Sequence, residues 1–407
     1  MSKTSPPDSL LDTEVLIVGE SPLGGVLACA LAQAGLCVEV VDGGASPDAD
    51  DGLAQGLTPS VRKLLEATGI WDGVADDVGE IRDLRVVEGD SPLLLHYDHR
   101  DVGEDPLGWA VENRTLRRAV RHRLAVLPTA AVSASARVEA LDMDDRRARV
   151  TFSDGRVRSA RLVVAADGRD SPIRAMAGIE AARWDHGRTA IACVVEHDRP
   201  HQGLACKRLL PAGPFTILPL AGNRSAVTWC ERGDRASALM GLTEDAFLVE
   251  LSHRFGDFLG GLRLVGPRRT GSLSPLLADS CVARRLALIG EAAHAMPSIT
   301  GLQTGIGFRD VAALAEILVD SARLGFDPGD VRVLAQYRRW RRFDNTTALL
   351  ADDGLARLFF SDAAPLRVIR DLGLAVVDRI APLKKTILRY ATGEMGDLPR
   401  LLRGEIP

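Results

Sequence analysis

At 407 residues, 46% hydrophobic and 26% charged, the chain has ordinary globular composition and length enough for two domains with large cores. A net charge of −5 excludes the basic footprint of a nucleic-acid-binding protein, and no stretch is long and apolar enough to span a bilayer. The six cysteines are scattered without C-x-x-C or His-flanked spacing, which excludes a disulfide scaffold or zinc site and predicts reduced, buried thiols. Residues 1–12 lack the basic start and apolar stretch of a signal peptide, so a cytoplasmic location is expected.

The first unit spans Thr13 to Asp42. Val15 to Val18 is a continuous apolar run suited to a strand buried on both faces of a parallel sheet. A turn at Gly19 to Gly25 leads into an Ala/Leu-rich helix over Val26 to Ala34, and Cys37 to Val41 is the next strand. In such a unit the helix N-terminus offers N–H groups to a diphosphate, and an acid after the second strand meets a ribose hydroxyl. Asp42, twenty-three residues after Gly19, suits that acid. The glycine spacing G-x-G-x-x-G falls on Gly19, Ser21 and Gly24, so the middle position carries a side chain, with Glu20 beside it. Taken alone, the pattern fits a nucleotide-binding βαβ unit or a plain α/β core unit.

Val61 to Ile70 reads as a short amphipathic helix, and Leu84 to Val87 with Leu93 to Tyr97 as two strands opening a second sheet. Glu112-Asn113-Arg114 precedes a basic helix, Thr115 to Leu127. Short strands follow around the hairpin turn Ser153-Asp154-Gly155, and Arg161 to Ala166 is a buried strand ending in Asp167-Gly168-Arg169-Asp170-Ser171. Acid and glycine at the carboxyl end of a strand stand where α/β folds place ligand contacts, though the motif alone also suits a turn. From Trp184 to Arg268 strands alternate with turns, giving an antiparallel sheet with one face open to a ligand and a helix inserted over Thr243 to Phe255. Ala287 to Ile289 returns as a buried strand, left by Gly290-Glu291-Ala292-Ala293-His294, with an amphipathic helix over Gly307 to Leu324. His294 reads as a packed histidine at a helix start, Arg114 as a ligand or a capping or pairing residue, and Asp170 as a turn residue.

Four segments in this order resemble the class A flavin monooxygenases: the first βαβ unit, Val111 to Arg114, Ala166 to Arg174, and Gly290 to His294 running on to Gly307-Phe308-Arg309-Asp310. Within that class the chain looks most like the ubiquinone-biosynthesis hydroxylases in their short alphaproteobacterial form, with support from Leu95 to Arg100, Pro211 to Pro219 and Tyr337 to Asn345. The resemblance implies a para-hydroxybenzoate-hydroxylase-like α/β fold. A Rossmann-like FAD domain would use residues 1–75, 106–180 and 269–345, an antiparallel substrate sheet residues 76–105 and 181–268, and a helical segment residues 346–407. It implies FAD reduced by NAD(P)H or a separate reductase, and hydroxylation of a polyprenylated phenol with O2. No metal is implied, and no catalytic side chain is singled out. Carried over by position, Gly19 and Gly24 would form the phosphate turn, Asp42 would meet the adenosine ribose and Arg114 the flavin nucleotide. Asp167 and Gly168 would border the phosphates and the nicotinamide approach, Gly290 and Glu291 the ribityl and diphosphate, and Gly301, Gly305 and Gly307 the isoalloxazine.

The chain departs from the family on this same cofactor surface. Glu20 and Ser21 replace glycines, Leu53 replaces an arginine, Glu291 replaces an aspartate, and Pro297 to Gly307 rewrites the family's glycine-rich flavin loop with Leu302 inside it. A carboxylate about 5 Å from a phosphate opposes binding by about 3 kcal/mol at an effective dielectric of about 20. The departures therefore carry an alternative expectation, a flavin-poor homologue acting as an accessory or substrate-binding protein of the same pathway. Ala363 to Thr392 has six basic and two acidic residues and an apolar stripe through Leu366, Ile369, Val376, Val377 and Ile380. It suits packing on the FAD domain or a peripheral membrane contact. Other quinone-biosynthesis proteins are expected partners.

Overall fold

β-branched and leucine runs place β1 (Thr13–Val18) at the centre of an eight-stranded sheet, between β2 (Val38–Val41) and β11 (Val157–Ala165), both parallel to it. The order continues from β11 to β20 (Leu286–Leu288) and β19 (Val282–Ala283), and from β2 to β8 (Ala130–Ser133). The hairpin β9 (Val138–Met143) and β10 (Ala148–Phe152) joins through β11. The computed structural model describes residues 12–19, 21–41, 51–89, 94–101, 103–133, 136–296, 303–359, 377, 380–392 and 396–407. Asp42, Gly301, Glu20, Leu302 and most of the basic C-terminal segment lie outside the described residues.

Helix α1 (Pro22–Gln33) crosses from β1 to β2 and starts four residues earlier than its apolar run suggests. Ser21 caps it, accepting from Leu23 N at 3.3 Å, and Pro22 sits where its missing N–H costs nothing. With α2 (Pro59–Ala67), α3 (Asn113–Ala125), α7 (Gln303–Arg323) and the start of α8 (Val331–Phe359) it covers one face of the sheet in a single apolar core. The short α4 (Pro172–Met176) follows β11.

The second large sheet runs β17 (Leu262–Ser272), β13 (Arg188–His197), β16 (Arg224–Arg232), β15 (Gly213–Leu220), β14 (Leu204–Leu210), β5 (Asp83–Glu88) and β6 (Leu94–Asp98). β14 and β5 pair in parallel and the other neighbours antiparallel. Alternate side chains, including Ile191, Phe215, Val227 and Trp229, pack beneath α5 (Gly233–Met240) and α6 (Glu244–Phe255). The opposite face turns inward. Near one end it meets Ala54 of β3 (Ala54–Leu57) and Ala110 of β7 (Gly108–Glu112), which pair in a small sheet with β4 (Gly79–Ile81). Near the other, Leu209 and Val86 meet Leu355, Ala356 and Phe359 of α8. A third small sheet, β12 (Ala181–Arg183), β18 (Leu276–Ala278) and β21 (His294–Ala295), links the two halves.

Two expectations need correction. Cys37 is exposed, so the thiols are not all buried, because it sits at the surface end of the α1–β2 turn; the six cysteines are all unbridged. His294 belongs to β21 and starts no helix, since it pairs with Leu277 across the small sheet.

Candidate active site

Gly19 ends β1 at φ +133, and a β-carbon there would fall 2.3 Å from the Ala166 carbonyl. The carboxyl ends of β1 and β11 thus touch, which only glycine permits. Gly24 and Gly25 serve packing: added β-carbons would lie 3.1 Å from Ala166 Cβ and 2.3 Å from Val120 Cγ1. In front of the α1 N-terminus a cavity of about 30 Å³ is lined by Gly19, Ser21, Pro22, Arg117, Arg121 and Val132 among others. Arg117 reaches Asp51 at 2.6 Å. Ser21 satisfies the first-turn N–H groups of Leu23 and Gly24, so it is the positive end of the helix dipole, with the Arg117 and Arg121 guanidinium groups, that makes this an anion-seeking corner.

Asp167 and Gly168 stand next to this turn at the end of β11, Gly168 at φ +84. Asp167 Oδ2 accepts from Ile173 N at 3.3 Å, while among the described residues its buried Oδ1 has no partner. Burial raises the Asp167 carboxyl above its ordinary range, against the hydrogen bonds of Ser171 and Ile173. Arg174, buried, donates to Ala292 O and Arg169 O, both at 2.8 Å, and so ties the Asp167–Gly168 loop to the turn after β20.

That turn begins with Gly290 at φ +58, followed by exposed Glu291. Gly290 N donates to Asp310 Oδ2 at 3.0 Å, His294 Nε2 shares the same oxygen at 2.6 Å, and Arg341 Nε reaches Oδ1 at 2.8 Å. Burial works to raise the Asp310 carboxyl, but the charges of His294 and Arg341 prevail and hold it at about 2. Arg341 also grips Asp344 at 2.6 Å and Asn345 at 2.7 Å. α7 and α8 are thereby fastened to Gly290. Leu23, at the start of α1, closes the junction: its Cδ1 lies 2.6 Å from where a β-carbon on either Gly290 or Gly307 would sit. A β-carbon on Gly305, in the first turn of α7, would meet open space.

The structure therefore gathers Gly19, Gly24, Asp167, Gly168, Gly290, Glu291 and Gly307 around the head of α1. Arg114 instead pairs with buried Glu112 at 2.5 Å, and Glu112 also accepts from Arg224 on β16. Asp310, Arg341, Arg174 and Arg117 were not singled out from the sequence. Arg341 lies inside the recognised Tyr337–Asn345 stretch, but its pairing with Asp310 spans two helices and leaves no local signal. The unpartnered Asp167 oxygen, the cradle at Gly19 and the anion-seeking corner at α1 fit a dinucleotide such as FAD.

On the inner face of the second large sheet, one cross-strand row joins Ala192, Thr228, Thr216 and Lys207 by direct register. All four are only half-buried, whereas the apolar positions to either side are covered by the β3–β7 sheet and by α8. Asp353 of α8 accepts from Trp184 Nε1 at 3.0 Å, His186 Nε2 at 2.8 Å and Arg357 at 2.8 Å. Met296, Ile306 and Leu349 fill the space between this corner and the start of α7.

Fold and site define a FAD-binding protein of the α/β monooxygenase type: residues 12–343 match the FAD binding domain family, and the chain belongs to it. p-Nitrophenol 4-monooxygenase PnpA of Pseudomonas putida shares the fold with a TM-score of 0.79 over 95% of this chain and 99% of that one, at 20% identity. More particularly, the chain belongs with the ubiquinone hydroxylases. It is 45% identical to ubiquinone hydroxylase UbiL of Rhodospirillum rubrum over 413 residues, covering 99% of this chain and 96% of the relative. It is also 28% identical to 3-demethoxyubiquinol 3-hydroxylase of Escherichia coli, over 94% of this chain and 98% of that one.

Proposed function

We propose that this protein hydroxylates the ring of a polyprenylated phenol in ubiquinone biosynthesis, using O2 and FAD reduced by NAD(P)H or by a separate reductase. The observation that carries the reading is the end-to-end 45% identity with UbiL. FAD, when bound, supplies the oxygen activation and hydroxyl transfer; the chain's residues hold, orient and keep water away. Gly19 and the α1 N-terminus, with Arg117 and Arg121, take the diphosphate, and Asp42 the adenosine ribose. Arg114 serves the flavin nucleotide, Asp167 and Gly168 the phosphate region and nicotinamide approach, and Gly290 and Glu291 the ribityl chain. Gly301, Gly305 and Gly307 border the isoalloxazine, and the phenol ring lies along the Thr228–Thr216–Lys207 row.

An absorption spectrum of the purified protein, followed by fluorescence titration with FAD and an assay on a prenylated phenol, tests this reading. A yellow protein, or tight saturable quenching, together with ring hydroxylation supports it. A colourless protein that ignores FAD at high micromolar concentration sinks it in favour of the accessory-protein alternative.

A peripheral membrane contact completes the proposal. Among the described residues no helix is long and apolar enough to cross a membrane. Helix α9 (Ala381–Ala391) buries Leu388 against Leu95, Tyr97 and Leu107 and exposes Ile387, Lys385 and Arg389, close to exposed Ile380. Such a face suits anionic lipid, where a substrate with an isoprenoid tail resides, and other proteins of the pathway are the partners expected there. Co-sedimentation with anionic vesicles that weakens with salt is the expected result; pelleting indifferent to lipid charge counts against it.

A further inference from the structure

Lys207 is the titratable member of the half-buried row on the inner face of the second large sheet. Its strand neighbours there are Thr216 on β15 and Val86 on β5, and Thr228 follows Thr216 in register. The two threonines are neutral hydroxyls. Asp352 of α8, sealed from solvent, lies within electrostatic reach of the lysine, as does Cys230 of β16. The further charged groups in the same strand alternation are Glu88 of β5, opposite Leu209; Arg188 and Glu196 of β13, opposite Arg232 and Arg224 of β16; and Arg263 and Arg269 of β17, the last in register with Ala192. Leu209, two residues along β14, is already covered by Ala356 of α8, one helical turn beyond Asp352. The amine is thus placed at the edge of the covered zone, where the row opens.

We propose that Lys207 Nζ accepts the phenolic proton of the ring substrate and then holds the phenolate, with Asp352 steadying the ammonium so formed. The assignment rests on the phenol-hydroxylase reading above. The O–H bond of the phenol breaks and an N–H bond forms on Nζ; no electrons change hands, and the net charge of amine, carboxylate and phenol is unchanged. Transfer of an electrophilic hydroxyl needs an electron-rich ring, and a phenol such as that of tyrosine ionises only near pH 10, about three units above neutrality. A base works best when its own pKa lies near the working pH. Burial moves Lys207 that way, pushing its ammonium below the ordinary lysine value, while Asp352 acts in the opposite sense and keeps the protonated form accessible. Thr216 and Thr228 can hydrogen-bond to the same oxygen but cannot take its proton at neutral pH.

The test uses FAD-loaded protein and 2-geranylphenol as a short-chain probe, reading the near-ultraviolet phenolate difference band against pH alongside the hydroxylation rate. In the wild type the bound phenol should ionise at least one pH unit below the free phenol. Lys207→Met should bind the probe within about tenfold of wild type, leave it neutral, and lose about 100-fold or more in kcat at neutral pH, recovering as the pH approaches the phenol's own pKa. Lys207→Arg should keep part of the phenolate band, since the charge remains although the base does not. A wild-type protein that hydroxylates a bound, un-ionised phenol overturns the role of Lys207 and leaves the hydroxylase reading standing, and so does a full phenolate band in Lys207→Met. If the wild type binds no prenylphenol at all, the hydroxylase reading falls and takes this assignment with it. Should Lys207→Met not fold, the wild-type band and Lys207→Gln decide the same question.

Discussion

His294 Nε2 and Asp310 share a hydrogen bond of 2.6 Å, with both side chains sealed from solvent. Because the same carboxylate receives Gly290 N and Arg341, this pair is the joint between the turn after β20 and two long helices. Asp310→Asn removes the sealed carboxylate from Arg341 and leaves the buried guanidinium only the partly exposed Asp344 as a charge partner. Removing one member of such a pair costs about 3–5 kcal/mol, so chemical denaturation should show a loss of that order, with weaker FAD binding because Gly290 is no longer pinned. The pH dependence has a definite sign. The Asp310 carboxyl falls from 3.8 to about 2 on folding, so its contribution is complete above pH 4 and is lost as the pH drops toward 2. The stability gap between wild type and Asp310→Asn should therefore narrow by about 2 kcal/mol across that window.

Asp167 behaves in the opposite way. Its carboxyl is raised by burial and one oxygen lacks a partner among the described residues, so the folded state binds the proton more tightly than the unfolded chain. Stability from this group falls as the pH climbs through its unfolded and then its folded value. Asp167→Asn removes the buried charge and can still accept from Ile173 N. Without FAD, the variant should melt at a higher temperature than wild type at neutral pH, while its FAD affinity drops about tenfold or more. A parallel loss of stability and affinity would mean that the carboxylate only braces the loop.

The crossing of α1 and α3 offers a packing test. A β-carbon on Gly25 would sit 2.3 Å from Val120 Cγ1, more than an ångström inside ordinary contact. Gly25→Ala gains about 1 kcal/mol of helix propensity, but overpacking costs about 1–3 kcal/mol, and an overlap this deep lies at the upper end. A net loss is expected. Adding Val120→Ala should recover part of it in a double-mutant cycle, and no recovery would show that the strain falls elsewhere.

These tests also mark what was legible in the sequence. The parallel sheet was readable because strands buried on both faces are continuous apolar runs, as in Val15 to Val18 and Leu162 to Ala165. The start of α1 was misplaced by four residues because Ser21-Pro22 reads as a turn, although it is also the cap and first position of a helix. Gly19, Asp167 and Gly290 were findable since each ends a strand or opens the turn after it. Asp310 and Arg341 were not, because residues 31 apart in sequence on two consecutive helices meet only once those helices pack together. The Thr228–Thr216–Lys207 row was hidden for a similar reason. Strand alternation says that a side chain faces in or out, but only hairpin register decides which inward-facing residues become neighbours.

A change at Asp353 tests whether the proposed substrate face and the proposed cofactor corner are independent. The residue sits on the same helix as Arg341, three turns further on, and gathers Trp184, His186 and Arg357 onto one carboxylate. Burial opposes its charge, yet the hydrogen bonds of His186 and Trp184 win and hold its carboxyl below the ordinary range. Asp353→Ala deprives all three donors of their acceptor, and hydrogen bonds to a charged group are each worth about 1.5–3 kcal/mol. α8 and the segment between β12 and β13 should loosen together over the sheet face that carries Lys207. The corner proposed to bind FAD, held independently by Asp310, Arg341 and Arg174, should be left intact. FAD affinity should stay within about twofold of wild type, while KM for a prenylated phenol rises about tenfold and overall stability falls by about 2–4 kcal/mol. Equal losses in FAD affinity and KM would instead mean that α8 transmits the damage along its length, making the two sites one mechanical unit.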